Sequence, residues 1–342
     1  MYLGDKMIKV SEIAKITGYS ISTVSRVLNN KGNFSNETVK KIREVVNTFN
    51  YRPNTVAEKI INNNYTIAIF FPQRDAFIEN NPTYSGDLPN LREELERCGN
   101  MVVLAANSEK LDRNSMSYRI IEEKKIDGAI VNGPLVDDEI VKLLISYGIP
   151  YIVTNGVDYS QDWNYVDYNH FSASSEAIDY LYSLGHKNIG IIGGPKNHLV
   201  TVNRMDGCIQ SLNKLGIDYS DNRIVYGPFN YDHGYSSAKE LLENHKDITA
   251  FFAFNDIIAC GALKAIHEFG HKVPDDISVI GFDDIEMSRY SNPALTTIRR
   301  YNNTFYKLIA ELLNDLISYN IEKVNISFKT EFIVRESCKK IK

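Results

Sequence analysis

The chain has 342 residues, 43% hydrophobic and 24% charged, with a formal net charge of −5. That length fits two or three folding units, and that composition fits a soluble globular protein and excludes a generic polyanion binder. The charge is uneven: residues 1–60 carry 10 Lys or Arg against 5 Asp or Glu, and the remaining residues carry 28 against 38, so only a basic head is suited to nucleic acid.

Met7 opens the patterned sequence, and residues 1–6 read as a short tail or a misplaced start. Val10, Ile13, Ala14 and Thr17 share one helical face, and Gly18-Tyr19 breaks it. Ser20 can cap a second helix with Val24, Val27 and Leu28 inward. After the polar turn Asn29 to Asn33, Ser35 can cap a third, with Val39, Ile42, Val46 and Phe49 at helical spacing. Two short helices joined by a tight Gly-containing turn and backed by a third predict a helix-turn-helix. The second helix turns out Ile21, Ser22, Thr23, Ser25 and Arg26. Arg26 can span O6 and N7 of guanine, the hydroxyls can reach phosphates or base edges, and Ile21 can touch a thymine methyl. Taken alone, an ordinary exposed helix fits the same residues.

The run from Val10 to Asn29, followed by Asn50-Tyr51-Arg52-Pro53-Asn54, resembles the lactose/galactose repressor (LacI/GalR) family. The resemblance implies a headpiece over 7–53 and a hinge over 54–64. In the family that hinge folds on operator DNA and wedges a leucine pair into the minor groove, kinking the duplex. Here Asn54 and Ala57 keep the hinge pattern, and Ile60, with a stiffer β-branch, stands at the leucine position. The DNA contacts so implied are Ser20, Ile21, Ser22, Thr23, Ser25, Arg26, Asn29, Asn33, Asn54, Ala57 and Ile60.

From Thr66 short β-rich runs alternate with helical stretches. Strands are predicted at Thr66–Phe71, Met101–Ala105, Gly128–Val131, Tyr151–Thr154, Ile189–Ile192, Ile224–Tyr226, Ala250–Phe254, Val279–Gly281 and Phe328–Val334. Helices are predicted at Leu88–Cys98, Ser115–Lys124, Asp137–Tyr147, Ser172–Leu184, Arg204–Leu215, Tyr231–Asn244 and Asp256–Phe269. Such alternation implies parallel, doubly wound sheets, and so many strands imply two lobes with a ligand at the strand C-termini.

The resemblance extends through Asn81-Pro82, Lys125-Ile126-Asp127-Gly128, Leu184-Gly185-His186, Phe254-Asn255-Asp256, Gly281-Phe282-Asp283-Asp284 and Val334-Arg335-Glu336-Ser337. It implies an α/β core over 65–342 like a periplasmic binding protein, with two lobes, crossovers near Tyr165–Asn169, Pro293–Ile298 and Lys323–Phe328, and an effector between. By position the effector residues are Arg204, Asn255, Asp283, Phe229 as a stacking aromatic, and Asn155, which stands where sugar-binding relatives often have aspartate. Gln73 to Asn80 is longer and more polar than usual. The function implied is a sequence-specific repressor. Its partners are a roughly palindromic operator, a second copy of itself and a small sugar-like effector, with no cofactor. The chain shows no heptad tail of the kind that makes tetramers, and whether the effector induces or corepresses stays open.

Other classes are weaker. His267-Glu268-Phe269-Gly270-His271 fits H-E-x-x-H, but Gly270 reads as a helix C-cap, which would place His271 off the helix. Gly190 to Pro195 lacks both G-x-G-x-x-G spacing and a P-loop lysine. A solute-binding protein would need a secretion signal, and no apolar leader or ~20-residue apolar span is present. Cys98, Cys208, Cys260 and Cys338 form no CxxC pair, which fits a reducing cytoplasm.

Overall fold

The computed structural model describes residues 10–28, 34–48, 64–72, 82–107, 111–217, 219, 221–300, 304–318 and 320–341. The chain divides into two compact units, residues 1–64 and 65–342.

The first unit holds α1 (Val10–Thr17), α2 (Ile21–Leu28) and α3 (Asn36–Thr48). Gly18 ends α1 at φ +77°, a conformation open to glycine at little cost. The Ser20 and Ser35 hydroxyls accept from Thr23 N at 3.1 Å and Thr38 N at 3.2 Å, capping α2 and α3. Ile13, Ala14, Val24, Val27 and Ile42 form the core, with Tyr19, Leu28, Phe34, Val39 and Val46 packed around it. Phe49 lies outside the described residues.

The second unit contains β1 (Thr66–Pro72), α4 (Pro82–Arg97), β2 (Met101–Asn107), α5 (Met116–Glu122), β3 (Gly128–Asn132), α6 (Glu139–Tyr147), β4 (Tyr151–Thr154) and β5 (Tyr165–Tyr168). Then come α7 (His170–Ser183), β6 (Ile189–Gly193), α8 (Leu199–Lys214), β7 (Ile224–Tyr226), α9 (Tyr231–Asn244), β8 (Ala250–Ala253), α10 (Asp256–Glu268) and β9 (Ser278–Ile280). The last elements are α11 (Glu286–Tyr290), β10 (Thr297–Arg299), α12 (Phe305–Ile317), β11 (Asn325–Phe328) and β12 (Glu331–Ile333).

Lobe 1 is a parallel sheet in the order β11-β5-β4-β3-β1-β2. Its inner strands β1, β3 and β4 are apolar on both faces, as strands covered by helices on both sides require. Ile67 and Ile69 of β1 pack with Leu91 and Leu95 of α4 and Leu313 of α12. Ala68 and Phe70, one residue out of phase, pack with Ile121 of α5 and Ile140 and Leu144 of α6. Lobe 2 is a parallel sheet in the order β7-β6-β8-β9. Bridges Ile280↔Thr296 and Asp283↔Arg299 extend it to β10, which pairs antiparallel with β12. The helix pair α9 and α10 approaches closely at Gly234 and Gly261, where a Cβ would collide with the backbone of Ile258 and Tyr231.

The chain passes between the lobes between β5 and α7, between β10 and α12, and between β11 and β12. The first passage falls where the sequence predicts it; the second and third fall later. The strand predicted at Phe328–Val334 is broken at Lys329-Thr330, because β11 pairs with β5 and β12 with β10. Tertiary pairing, not local propensity, decides that break. The amphipathic α12 falls in a stretch for which the sequence predicts no element, and α8 begins at Leu199 rather than Arg204.

Candidate functional site

In the head, the α2 side chains divide by face. Val24 and Val27 are buried, whereas Ser20, Ile21, Ser22 and Arg26 are exposed. Thr23 is half-buried, with its hydroxyl 2.9 Å from Ser20 Oγ. Ile21 is 56% exposed, an aliphatic side chain offered to solvent. The Arg26 guanidinium stands 5.7 Å from the Phe34 ring centroid, the approach of a cation to an aromatic face. Ser25 lies in α2, while Asn29, Asn33, Asn54, Ala57 and Ile60 lie outside the described residues.

In the body, the polar residues meet where the passages between lobes converge. Asp283 follows β9 at φ +108° and Asn155 follows β4 at φ +60°, left-handed backbone that side-chain-bearing residues seldom adopt. Asp167 holds the Asn155 turn: its carboxylate accepts from Asn155 N and Gly156 N, each at 2.9 Å. Arg204 lies within α8, not at its start, and reaches Asp283 Oδ1 at 3.4 Å. It also donates to the Phe254 carbonyl and lies over the Phe282 ring, 3.6 Å from its centroid.

Arg300, just past β10, joins these groups. Its Nε donates to Asp283 Oδ1 at 2.8 Å and its Nη1 to Asn155 Oδ1 at 2.7 Å. Its Nη2 lies 3.4 Å from Asp87 Oδ2. Asp87, on α4, accepts from Tyr306 OH at 2.5 Å. Asn155 Nδ2 donates to Asn132 Oδ1 at 2.5 Å. Asp87, Arg204, Asp283 and Arg300 are all at most 4% exposed. Ions so buried are tolerated only when paired and hydrogen-bonded.

Burial and ion pairing compete in the cluster. Burial brings Arg204 down to about 10, with Asp283 opposing and Arg300 adding to the effect. Burial also lowers His170, against the pull of Asp167, so the neutral ring is favoured. His170 Nδ1 then accepts from Arg204 Nε at 3.4 Å while Nε2 faces Asp167 Oδ1 at 3.5 Å. Burial pushes Asp256 up, despite bonds from Thr297 Oγ1 at 2.5 Å and Ile285 N at 2.9 Å. Asp284 is held low against its burial by Arg335 and Arg299.

The structure thus brings together Asn155, Arg204 and Asp283. Asn255 caps α10, its side chain accepting from Ile258 N at 2.8 Å, and adjoins the Phe254 carbonyl that Arg204 holds. Phe229 packs in the lobe 2 core beside Gly194 and edge-on to His198, with ring centroids 6.2 Å apart. The sequence reading misses Asp87, Asn132, Asp167, His170, Arg300 and Tyr306. Chemically the carboxylates of the set only accept and its guanidiniums only donate, a pattern that hydroxyls, which do both, can enter.

The H-E-x-x-H segment has no such convergence. Helix α10 ends at Glu268, Gly270 takes φ +81°, and His271 N bonds Ile266 O at 3.1 Å, a glycine-terminated helix end that turns His271 off the helix. Glu268 accepts from Tyr235 OH at 2.6 Å. Among the described residues no group of three or more His, Cys, Asp or Glu is placed to hold a metal ion.

Residues 9–54 match bacterial regulatory proteins of the lacI family, and residues 178–338 match the periplasmic binding protein-like domain. The chain is 31% identical over 342 residues to a probable HTH-type transcriptional repressor, ExuR, of Bacillus subtilis (strain 168), covering 98% of this chain and 99% of that protein. Among solved structures it is similar to a transcriptional regulator CelR-cellobiose complex, with TM-score 0.72 and 26% identity over 96% of this chain and 99% of that one. It has the fold of a lac repressor dimer bound to operator and the anti-inducer ONPF, with TM-score 0.72 and 23% identity over 98% and 100% of the two chains. These relatives are DNA-binding transcription regulators rather than enzymes. The chain belongs to the LacI family of bacterial regulatory proteins.

Proposed function

We propose that this regulator is a cytoplasmic repressor whose grip on a roughly palindromic operator is set by a small sugar-like effector held between the lobes. Residues 7–53 read DNA, 54–64 form the hinge and 65–342 sense the effector and pair with a second copy. The observation that carries this reading is the buried cluster of Asp87, Asn155, Arg204, Asp283 and Arg300, which draws its members from both lobes at their junction. A ligand entering there changes how the lobes hold each other, and it shifts DNA affinity only if it binds one arrangement more tightly. The relative crystallised with cellobiose supports a sugar-like ligand.

Exposed Ile21, Ser22 and Arg26 are the base-reading side chains of α2, and one such helix reads too few base pairs to act alone. The operator-bound dimer with the same fold supports a paired reader. No helix among the described residues is long and apolar enough to cross a membrane. Selection from random oligonucleotides with the full-length protein is expected to enrich a symmetric site, and a sugar that raises the melting temperature is expected to change affinity for it. Enrichment of no symmetric site, or a bound sugar that leaves DNA affinity unchanged, rejects the reading.

A further inference from the structure

Each of the two serine caps in the head is preceded by an aromatic residue: Tyr19 before Ser20 and Phe34 before Ser35. A hydrophobic residue in that place packs toward the fourth residue after the cap, and Val24 and Val39 stand there. Tyr19, Phe34 and Val39 pack against the buried core to which Val24 belongs, so both rings are anchored. Each ring also faces a cation of the helix it does not precede. Lys41 Nζ of α3 lies 5.7 Å from the Tyr19 ring centroid, and the Arg26 guanidinium of α2 lies 5.7 Å from that of Phe34.

Arg26 is exposed and Phe34 half-buried. A freely rotating arginine gives up rotamer freedom when it settles on a base edge, and bidentate pairing with guanine needs its planar fork in one orientation. A ring already in contact with the guanidinium reduces the freedom still to be lost. The ring attracts the cation through its face and takes up none of the five N–H donors, which stay available to DNA. A carboxylate in its place would occupy those donors and repel the phosphates.

We propose that Phe34 is a positioning residue for sequence reading: its core-anchored ring holds the Arg26 guanidinium in line for a guanine edge before DNA arrives. This rests on α2 being the base-reading helix and Arg26 one of its readers. Phe34 acts on base choice only through Arg26.

The test is fluorescence anisotropy of the full-length protein on the symmetric site obtained by selection and on duplexes carrying each single base-pair change in it. Arg26→Ala is expected to relax preference at one G·C pair. Phe34→Leu keeps an apolar side chain but removes the ring face, and is expected to lower discrimination at that same pair about 2- to 5-fold. The salt dependence of its binding should match that of the unaltered protein, because the same phosphates are neutralised. Phe34→Tyr keeps the ring and should keep the discrimination. In an Arg26→Ala background Phe34→Leu should lower discrimination no further, since the two residues act as one unit. Unchanged preference at every pair in Arg26→Ala removes Arg26 from base reading, and the proposal falls with that assignment. A relaxed pair in Arg26→Ala with full discrimination in Phe34→Leu overturns the proposal alone. So does uniform weakening of Phe34→Leu on all duplexes, the mark of a loosened head, equal loss of discrimination in Phe34→Tyr, or a further loss at that pair in the double variant. Should Phe34→Leu bind no duplex measurably, Phe34→Met replaces it with the same expectations.

Discussion

The head and the interlobe cluster use opposite strategies for holding a functional surface. In the head, the inward faces of three short helices make a small apolar core, and the outward face of α2 is left exposed. The starts of α2 and α3 are stabilised within three residues, by Ser20 for Thr23 and by Ser35 for Thr38. In the body, the functional groups are themselves buried, and their partners come from distant segments: Arg300 meets Asp283 17 residues away and Asp87 213 residues away. A site built on local periodicity tolerates side-chain exchange at its surface, whereas a site built of buried ions is part of the fold. Changes in the two regions are therefore expected to differ, those in the body acting on stability and on the effector's control of DNA affinity, those in the head on DNA contact itself.

The largest effect should come from breaking the cluster. Arg300→Ala leaves Asp283 and Asp87 buried with fewer donors, and removal of one partner of a buried ion pair costs about 3–5 kcal/mol. Urea unfolding should show that loss in the body; a change under 1 kcal/mol, within the range expected for exposed pairs, would show the cluster to be solvated. Next is Leu313→Ala on α12, fully buried between that helix and the lobe 1 sheet, expected to cost about 2–5 kcal/mol. Its DNA affinity below the melting range should stay unchanged. If Leu313→Ala alters operator binding at temperatures where it is folded, body packing and DNA binding are not separable in this way.

Legibility in the sequence follows the same division. Helices α1 and α2 lie where the spacing predicts them, and α3 begins after its predicted Ser35 cap, because a 3.6-residue period and a cap three residues away are local signals. Strands β1, β3 and β4 are legible as apolar runs for a similar reason. The ends of β11 and β12 are not, since their assignment to different lobes depends on pairing with β5 and β10. Helix α12 carries a helical spacing in Phe305, Ile309, Leu313 and Leu316, though the sequence reading assigns no element there. Arg300 carries no signal at all: beside half-buried Arg299 it looks like a second surface arginine, and only the fold brings it to Asp283. Arg204, Asp283 and Asn155 are legible through the family resemblance, while Asp87 stands one residue ahead of the helix predicted at Leu88–Cys98, in a turn that the observed Pro82–Arg97 helix adds, and Tyr306 lies on the unassigned α12.

In the head, Arg26→Ala is expected to cost about 1–3 kcal/mol of operator binding and to relax preference at one G·C pair, leaving body stability unchanged. An unchanged footprint and unchanged base preference would remove Arg26 from base reading and leave its packing on Phe34 as its role.

The smallest effect tests whether the exposed face and the capping of α2 can be separated. Ser20→Ala removes the hydroxyl that accepts from Thr23 N and lies 2.9 Å from the hydroxyls of both Ser22 and Thr23. Loss of an N-cap costs about 1 kcal/mol of helix stability. If Ser20 serves only as a cap, Ser20→Asp should restore head stability, because aspartate caps equally well. On DNA the two roles diverge: a carboxylate beside a phosphate is repelled, so Ser20→Asp should melt like the unaltered head but bind operator more weakly than Ser20→Ala. Equal binding by the two variants would place Ser20 away from the DNA backbone and confine it to helix capping.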